Sequence, residues 1–299
     1  MGGERCYARR LMDMFQDVPA APRTLAARPA PFRLVGQALG EIRSRRRLIG
    51  YLARADMKKK GADTLFGNVW WVLDPLLQMG VYVVLVTVIF QRSREAYPLF
   101  IFAAILPWKW FTTSMSDAIT SVTGQERLIK QIQFPKLVLP LAAMLSAIGQ
   151  FAFGLIPLVG MMILMYPTRI SLALVWIPVV AVVQLVFTLS LGIVVSALNV
   201  FFRDIGNLAR HVLRLWFYLS PALYGADTVA KLSVHEPTIG TIMRLNPFFP
   251  ILEGYRSAIY FGTMPDLTSL AVLLAASTVG IVIALWFFKR LEPAFAKVL

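Results

Sequence analysis

The chain has 299 residues, of which 58% are hydrophobic and 15% are charged, and this balance leaves no room for a large soluble domain beside apolar spans. Its net charge of +14 is also found in proteins that bind nucleic acid, but membrane proteins collect Lys and Arg in cytoplasmic loops, so the positions of the charges decide between these classes. The single cysteine, Cys6, excludes an internal disulfide framework. We therefore expect one integral membrane domain behind a polar N-terminal arm.

Residues 1–31 are predicted to form this flexible arm. Four prolines alternate there with alanines and arginines, namely Pro19, Pro22, Pro29 and Pro31. No hydrophobic segment follows the early arginines, so we expect no cleavable signal peptide.

Residues 32–60 have the pattern of an amphipathic helix. Apolar residues recur at helical spacing on one face, and arginines occupy the other: Val35, Leu39, Ile42, Ile49 and Leu52 against Arg43, Arg45, Arg46 and Arg47. Such a helix lies on a membrane surface, with its apolar side in the headgroup boundary and its arginines near anionic lipid. A plain juxtamembrane anchor and a docking site for a partner protein are both open readings of this pattern.

Residues 61–299 contain the predicted membrane spans. Five apolar stretches are long enough to cross a hydrocarbon core of about 30 Å as a helix: Val69–Phe90, Tyr97–Ile119, Leu137–Met165, Ile170–Phe202 and Leu267–Phe288. A sixth candidate, Leu215–Ala226, is charge-free over only twelve residues, or about 18 Å of helix.

The distribution of Lys and Arg favours six spans. With six spans and both termini in the cytoplasm, 23 of the 30 Lys and Arg residues are cytoplasmic and Lys109 lies inside a span. The other six lie in outer loops: Arg92, Arg94, Arg169, Lys231, Arg244 and Arg256. Five spans would put Lys289 and Arg290 outside, against this rule. The fifth span then runs from near Arg210 to about Val229. We therefore predict an all-α integral membrane protein with six transmembrane helices, whose positive charge needs no nucleic acid to explain it.

The outer segment from Lys231 to Asp266 is too broken to span the membrane and too apolar for a water-exposed loop. We expect it to form two short re-entrant helices between spans five and six. Irregular backbone is tolerated at membrane depth only where protein or a wet cavity covers it, so such elements border translocation paths. The predicted outer gate consists of Asn246, Pro247, Phe248, Phe249, Tyr255 and Arg256. This feature indicates transport.

Several short motifs occur in order along the chain. They are Gly67-Asn68-Val69-Trp70-Trp71, Leu106-Pro107-Trp108, Gln125 to Lys136, Leu198 to Ile205, Leu219-Ser220-Pro221, Leu245-Asn246-Pro247 and Phe288 to Glu292. This series resembles the permeases of type 2 ATP-binding-cassette (ABC) exporters of lipid-linked polysaccharide, and it covers roughly Gly36 to Leu299. Each motif alone is weak, but the ordered series is specific. The resemblance implies a pore built from two copies of this chain, driven by two copies of a separate ATPase subunit.

No G-x-x-x-x-G-K-[ST] loop occurs in the sequence, so we expect no enzyme activity here, with ATP and Mg²⁺ bound by the partner ATPase. The resemblance implies a principal coupling helix formed by Gln125, Glu126, Arg127, Leu128, Ile129 and Lys130, and a smaller contact at Arg203 and Asp204. From the residues alone, the first is an ordinary charged cytoplasmic loop and the second a local pair at a helix end.

A conduit for glycans gains from aromatic side chains, because sugar rings stack on them weakly and without strict sequence requirements. The candidate lining residues are Trp70, Trp71, Trp108, Trp110, Phe111, Trp216, Phe217 and Tyr218. For each ring, an anchoring role at the headgroup level is the open alternative.

Lys109 lies inside the predicted second span and belongs to neither the cytoplasmic nor the outer group of Lys and Arg residues. It lies about twelve residues into the second span, roughly 18 Å from its outer end, where an unpaired cation is costly. Either Pro107 breaks the helix and brings water close, or Lys109 faces the pore and meets the anionic group of a lipid-linked substrate. In the second case Lys109→Met should lower export while raising or preserving stability, because it removes both a contact with the substrate and a poorly paired ammonium.

Other function classes fit less well. A membrane glycosyltransferase would need a metal-binding acidic cluster or a catalytic base, and the sequence has no D-x-D motif and only two histidines, His211 and His235. A drug or lipid exporter of the same superfamily is the stronger alternative. We expect a multi-pass protein of the bacterial cytoplasmic (inner) membrane; O-antigen, teichoic acid, galactan and capsule remain alternative cargoes.

Overall fold

The structure, a computed structural model, describes residues 30–62, 66–89, 91 and 94–299, so the predicted arm lies almost wholly outside the described residues. All regular elements in the described part are helical. We number its α-helices as α1 (Pro31–Ser44), α2 (Arg46–Gly61), α3 (Trp70–Val84), α4 (Tyr97–Ser121), α5 (Glu126–Gln131), α6 (Val138–Met165), α7 (Ile177–Phe201), α8 (Ile205–Leu219), α9 (Ala226–His235), α10 (Pro237–Leu245), α11 (Phe248–Arg256) and α12 (Leu267–Val298).

Four helices of the described part are long and apolar enough to cross a membrane. Counted with their 3-10 and π extensions, they are Gly67–Ile89, Val138–Met165, Leu172–Phe201 and Leu267–Val298. They contain α3, α6, α7 and α12 and overlap four of the five apolar stretches predicted from the sequence. The remaining predicted stretch, Tyr97–Ile119, forms α4, whose 25 residues extend about 37 Å.

Helix α4 is the centre of the bundle. Every residue from Leu99 to Trp108 is buried, because α3, α6, α7, α8 and α11 pack around it. A helix covered by protein on all sides needs no continuous lipid-facing surface, and this explains why α4 tolerates Lys109 and Asp117. Pro107 does not break the helix; its carbonyl oxygen accepts a hydrogen bond from Gln184 Nε2 at 2.7 Å.

The predicted fifth span is interrupted. Helix α8 ends at Leu219, Ser220 is extended (φ −93°, ψ 152°), and the next helix begins at Ala226, so the prediction of one helix from near Arg210 to about Val229 is wrong. The cause is Pro221, which disfavours a helical conformation of the residue before it and has no backbone N–H to donate. Fifteen residues of helix extend only about 22 Å.

The predicted amphipathic helix at residues 32–60 is two helices joined at Arg45 (φ −98°, ψ 14°). The bend lets each half pack on a different part of the bundle. Helix α1 is held against α12 by Glu41, whose carboxylate accepts from Lys289 Nζ at 2.7 Å. Helix α2 packs on α6, and Lys60 forms an ion pair with Asp117 of α4 at 2.6 Å. Both halves are therefore fastened to the bundle.

The bundle has two chemically distinct ends. The end that contains Lys60, Ser121, Phe201 and Lys289 carries α1, α2 and α5, and we call it the basic end. The opposite end, near Tyr97 and Asp266, carries α9, α10 and α11, and we call it the short-helix end.

The turn between α10 and α11 lies halfway along the bundle. The ring of Phe248 packs 4.6 Å from that of Trp108 and 5.7 Å from that of Phe187. Trp108 lies eleven residues after the start of α4, and Phe187 lies ten residues after the start of α7. Both positions are about 15 Å from the short-helix end. At its other terminus α11 reaches Arg256, which bonds the carbonyl of Phe100 near the start of α4. Helix α11 therefore runs from the middle of the bundle back to its end.

Candidate functional site

The segment predicted to couple to an ATPase forms the short helix α5 at the basic end. Glu126 and Lys130, one turn apart, form an ion pair at 2.6 Å. Ile129 points inward and is buried among apolar residues of the basic end, whereas Gln125 and Arg127 are exposed and Leu128 is half-buried. The helix is thus anchored by one apolar side chain and presents charged and polar groups outward.

The second predicted contact lies beside the first. Glu126 and Arg203 both line a cavity of about 520 Å³, together with Asn199 and Arg210. Asn199, near the end of α7, donates through its amide to the carbonyl of Ile119, near the end of α4, at 2.8 Å. This bond links the two helices that precede α5 and α8.

Electrostatics keep Glu126 charged in this place. The hydrogen bond and the charge of Lys130, with smaller contributions from Arg203 and Arg127, lower the pKa of Glu126. Asp204 is exposed at the start of α8 and makes no capping hydrogen bond through its side chain. The structure therefore brings Glu126 and Arg203 to one polar cavity, with Asp204 next to it in sequence.

The predicted conduit aromatics separate into two groups. Trp108, Phe111 and Phe217 are buried, with 5%, 0% and 4% of their surface exposed, and Trp216 is half-buried. Trp108, Phe111 and Trp216 pack edge-to-face around Phe248, whose ring lies 4.6 Å from that of Phe111 and 5.4 Å from that of Trp216. Phe217 packs on Trp108, with 5.4 Å between their ring centres. Such aromatic pairs stabilise a core beyond the area they bury. In this conformation of a single chain these four rings face protein.

The other group is more open. Trp70 and Tyr218 are exposed, with 43% and 54% of their surface accessible, and Trp71 is half-buried. Trp70, Trp71 and Lys109 line a pocket of about 300 Å³ between α3, α4 and α6, together with Trp110, which is itself buried with only 4% of its surface exposed. This pocket is the one place where predicted conduit aromatics and the intramembrane lysine meet in the described part of the chain.

Lys109 has a partner that the sequence did not reveal. Its Nζ atom lies 2.5 Å from a carboxylate oxygen of Asp74 on α3, and both side chains are about half exposed to the pocket. The assumption of a poorly paired ammonium is therefore wrong. A carboxylate on a neighbouring helix neutralises it, which lowers the cost of a cation at this depth.

The ion pair reverses the stability expected for Lys109→Met. The single change leaves Asp74 without its cation, so we expect a lower unfolding temperature than for the double variant Asp74→Asn, Lys109→Met, which removes both charges. Thermal unfolding of the purified variants measures this difference. Equal unfolding temperatures for the single and double variants would contradict an energetically important pair.

Asn246 and Pro247 form the turn between α10 and α11. Asn246 Oδ1 accepts hydrogen bonds from Trp216 Nε1 and from the backbone N–H of Phe248, both at 3.0 Å. Its amide donates to Ser220 Oγ at 2.9 Å. One side chain therefore connects the turn to the break that ends α8. Phe249, half-buried, lines a separate cavity beside the turn.

Arg256 is the most buried charge in the described part of the chain, with 0% of its surface exposed. Its guanidinium lies 3.9 Å from the ring centre of Phe100 and pairs with Glu253 at 2.8 Å. It donates to four backbone carbonyls, those of Phe100, Pro221, Ala222 and Tyr224. Three of these belong to the non-helical segment after α8, so Arg256 supplies the hydrogen bonds that this segment cannot make internally. Tyr255 beside it is also buried.

The sequence missed the partners of these residues because they are distant in the chain. Asp74 precedes Lys109 by 35 positions, and Gln184 follows its partner Pro107 by 77 positions. Arg244 and Arg256 were counted among the charges of outer loops. An arginine between apolar residues in a segment too apolar for water is the signal that could have identified them.

Comparison with known proteins agrees with this architecture. The family model for ABC-2 type transporters matches residues 47–260. A Myxococcus xanthus protein named O-antigen export system permease protein RfbA is 31% identical over 257 residues, which are 86% of this chain and 97% of that protein. Two Klebsiella pneumoniae proteins of the same name are 26% and 27% identical over 253 residues, 84% of this chain and 95% of each relative.

The matched region extends from α2 to Tyr260, just beyond α11, and so includes α5, α8 and the turn at Asn246. It covers well over half of the sequence. The chain belongs to the ABC-2 type transporter family.

Proposed function

We propose that this chain is the membrane subunit of an ATP-driven exporter that moves a lipid-linked, O-antigen-type polysaccharide across the bacterial cytoplasmic membrane. The observation that carries the proposal is the alignment of nearly the whole length of three O-antigen export permeases with this chain. The all-helical bundle with several spanning helices is the architecture that such a subunit requires.

A separate ATPase subunit, present in two copies and binding ATP and Mg²⁺, would supply the energy, since the sequence has no phosphate-binding loop of its own. Its docking site is the cavity formed by α5 and the start of α8, where Glu126 and Arg203 meet. These side chains are accessible and charged, and α5 is anchored through Ile129, so a push on α5 reaches the packed interior.

A second copy of this chain would complete the pore. Helix α8 exposes an apolar stripe on one face, formed by Leu208, Val212, Leu215 and Leu219 with 46–66% of their surfaces accessible. In the most apolar 18-residue stretch of α3 and its extensions, only 6% of the residues are buried. Either surface can face lipid, but a homodimer would cover part of them and place the Lys109 pocket at a boundary between chains.

The distribution of charge supports a cytoplasmic basic end with both termini inside. Arg43, Arg46 and Arg47 on α1 and α2 then lie near anionic lipid. With this orientation the short-helix end is outside, and the turn at Asn246 and Pro247 reaches about 15 Å into the membrane. This depth supports six spans, with α8 and the segment after it forming the fifth, and a re-entrant α10–α11 region.

The pocket with Trp70, Trp71 and Lys109 is the part of the predicted conduit that the geometry supports best, because it combines open aromatic surface with an ion pair. An anionic substrate group could exchange with Asp74 for the ammonium. The buried rings Trp108, Phe111 and Phe217 would reach a glycan only if the bundle opened around Phe248.

The rival function is export of a drug or a simple lipid by the same scaffold. Stimulation of ATP hydrolysis separates the two: the purified complex of this chain with its ATPase should respond to lipid-linked glycan and not to unglycosylated lipid or to hydrophobic drugs. Equal stimulation by drugs, or none by the glycan, would refute the proposed substrate class.

A further inference from the structure

A cavity of about 800 Å³ lies beside the turn between α10 and α11 and is bounded by α7 and α12. It shares no lining residue with the Lys109 pocket or with the coupling cavity. Most of its wall is apolar, and its lining residues include Phe249, Pro250 and Leu273. Its volume is in the range of about 300–1,000 Å³ that is usual for pockets holding small ligands.

Arg244 is the only cation among the residues that line this cavity. It is exposed, and in the described part of the chain its side chain forms no ion pair. The only carboxylate of the lining, Asp266, is occupied elsewhere: it accepts hydrogen bonds from Ser269 Oγ at 2.5 Å and from the backbone N–H of Thr268 at 3.0 Å. Asp266 keeps its negative charge, but among the described residues it forms no ion pair with Arg244.

The position of Arg244 along the bundle makes its charge significant. It lies two residues before Asn246, and thus at the turn that sits about 15 Å from the short-helix end. An ionisable side chain at this depth of a membrane is costly unless it meets water or an anion. Lys109 lies at a similar depth, but Asp74 pairs with it.

A buried donor faces the same cavity. Ser277 is only 4% exposed, and its hydroxyl has no hydrogen-bond partner among the described residues. It lies ten residues into α12, about 15 Å from the start of that helix, and so at the level of the turn. A buried hydroxyl without a partner is unfavourable, and it would be satisfied by a ligand oxygen in the cavity.

These features select the chemistry of the ligand. An arginine and a hydroxyl donor suit a phosphate oxygen, and the apolar wall suits a hydrocarbon chain attached to it. A resident phospholipid keeps its phosphate at the membrane surface, so a cation at half depth fits an anionic group in transit. We infer that Arg244 and Ser277 form a binding site for the pyrophosphate of the lipid-linked substrate in the outer half of the membrane. The inference rests on the proposed function and adds a site to it.

Binding of farnesyl pyrophosphate to the purified complex with its ATPase tests the site directly. We expect Arg244→Gln to weaken the affinity at least about tenfold and Ser277→Ala a few-fold, while Arg244→Lys keeps most of it. The matched control is Lys231→Gln, an exposed cation on α9 outside the cavity, which should change the affinity less than twofold. Unchanged binding by Arg244→Gln, or an equal loss in Lys231→Gln, would overturn the inference.

Two further ligands in the same binding experiment show whether the site binds the pyrophosphate of a lipid-linked substrate or the phosphate of a membrane phospholipid. Farnesol, which lacks the pyrophosphate, should bind to wild type and Arg244→Gln alike. Phosphatidylglycerol at equal concentration should not displace farnesyl pyrophosphate; if it does, the cavity is a resident phospholipid site and the inference is wrong. Loss of the homodimer in Arg244→Gln would assign Arg244 to an interface between two copies instead.

The outcome is separable from that of the proposed function. If wild type exports no lipid-linked glycan in cells, the proposed function fails whatever the binding data show. If wild type exports normally and Arg244→Gln exports and binds like wild type, only the additional site is refuted.

Discussion

Arg256→Met is expected to lower the free energy of unfolding by about 3–5 kcal/mol, because it removes the fully buried cation of an ion pair whose carboxylate is itself only 17% exposed. The change leaves Glu253 without its cation and the carbonyls of Pro221, Ala222 and Tyr224 without donors. The segment after α8 would then lose the hydrogen bonds that hold it against α4. Thermal or chemical unfolding of the purified complex measures the loss.

Arg94→Met is the matched control for this prediction. Arg94 also lies over the ring of Phe100, at 4.4 Å, but its ion pair with Asp227 is partly exposed and worth at most about 1 kcal/mol. The hydrogen bond and charge of Arg94 outweigh burial and lower the pKa of Asp227, so the pair is formed at neutral pH. If Arg94→Met and Arg256→Met lower the free energy of unfolding equally, the buried hydrogen bonds of Arg256 are not the source of the stabilisation.

The double variant Glu126→Ala, Arg127→Ala is expected to reduce export at least about tenfold while the complex still assembles and inserts. Both side chains are accessible at the basic end, so their loss should leave the folding of the bundle nearly unchanged. Substrate-stimulated ATP hydrolysis should fall together with export, because both depend on the same contact. Export in cells and ATPase activity of the purified complex are the measurements.

The control for coupling is Lys231→Ala, Glu236→Ala, which removes one cation and one anion from exposed positions at the short-helix end. It should leave export and stimulated ATP hydrolysis unchanged. Normal export by the Glu126, Arg127 variant in a normally assembled complex would remove α5 from the coupling path.

Apolar length predicted the long helices well, because α3, α6, α7 and α12 are each continuous runs that need lipid or protein around them. Charge counting was less reliable: it favoured a fifth span that continues from near Arg210 to about Val229, but Pro221 prevents one continuous helix and α8 ends at Leu219, two residues before that proline. The amphipathic pattern at residues 32–60 predicted the inward side of Ile49, which is buried, but not that of Leu39, which is 54% exposed. It also missed the bend at Arg45, which depends on contacts with α6 and α12 that no local pattern contains.

The site was predictable only in outline. The resemblance indicated α5 and the start of α8, and the structure puts Glu126 and Arg203 at one cavity. Counting every arginine of the outer segment as a loop charge hid the difference between Arg244 and Arg256. Arg256 is fully buried and its hydrogen-bond donors have partners, whereas Arg244 is exposed beside a cavity. Partners such as Asp74 became visible only in three dimensions.

Transport by the reconstituted complex tests the central claim most directly. The two subunits are placed in sealed vesicles that contain lipid-linked glycan, with the ATPase facing outward, and glycan is measured on each side of the membrane before and after addition of ATP and Mg²⁺. The account predicts ATP-dependent accumulation of the glycan in the vesicle lumen, none without the ATPase, and little with the Glu126, Arg127 variant. Equal movement with and without ATP, or movement of unglycosylated lipid only, would contradict it.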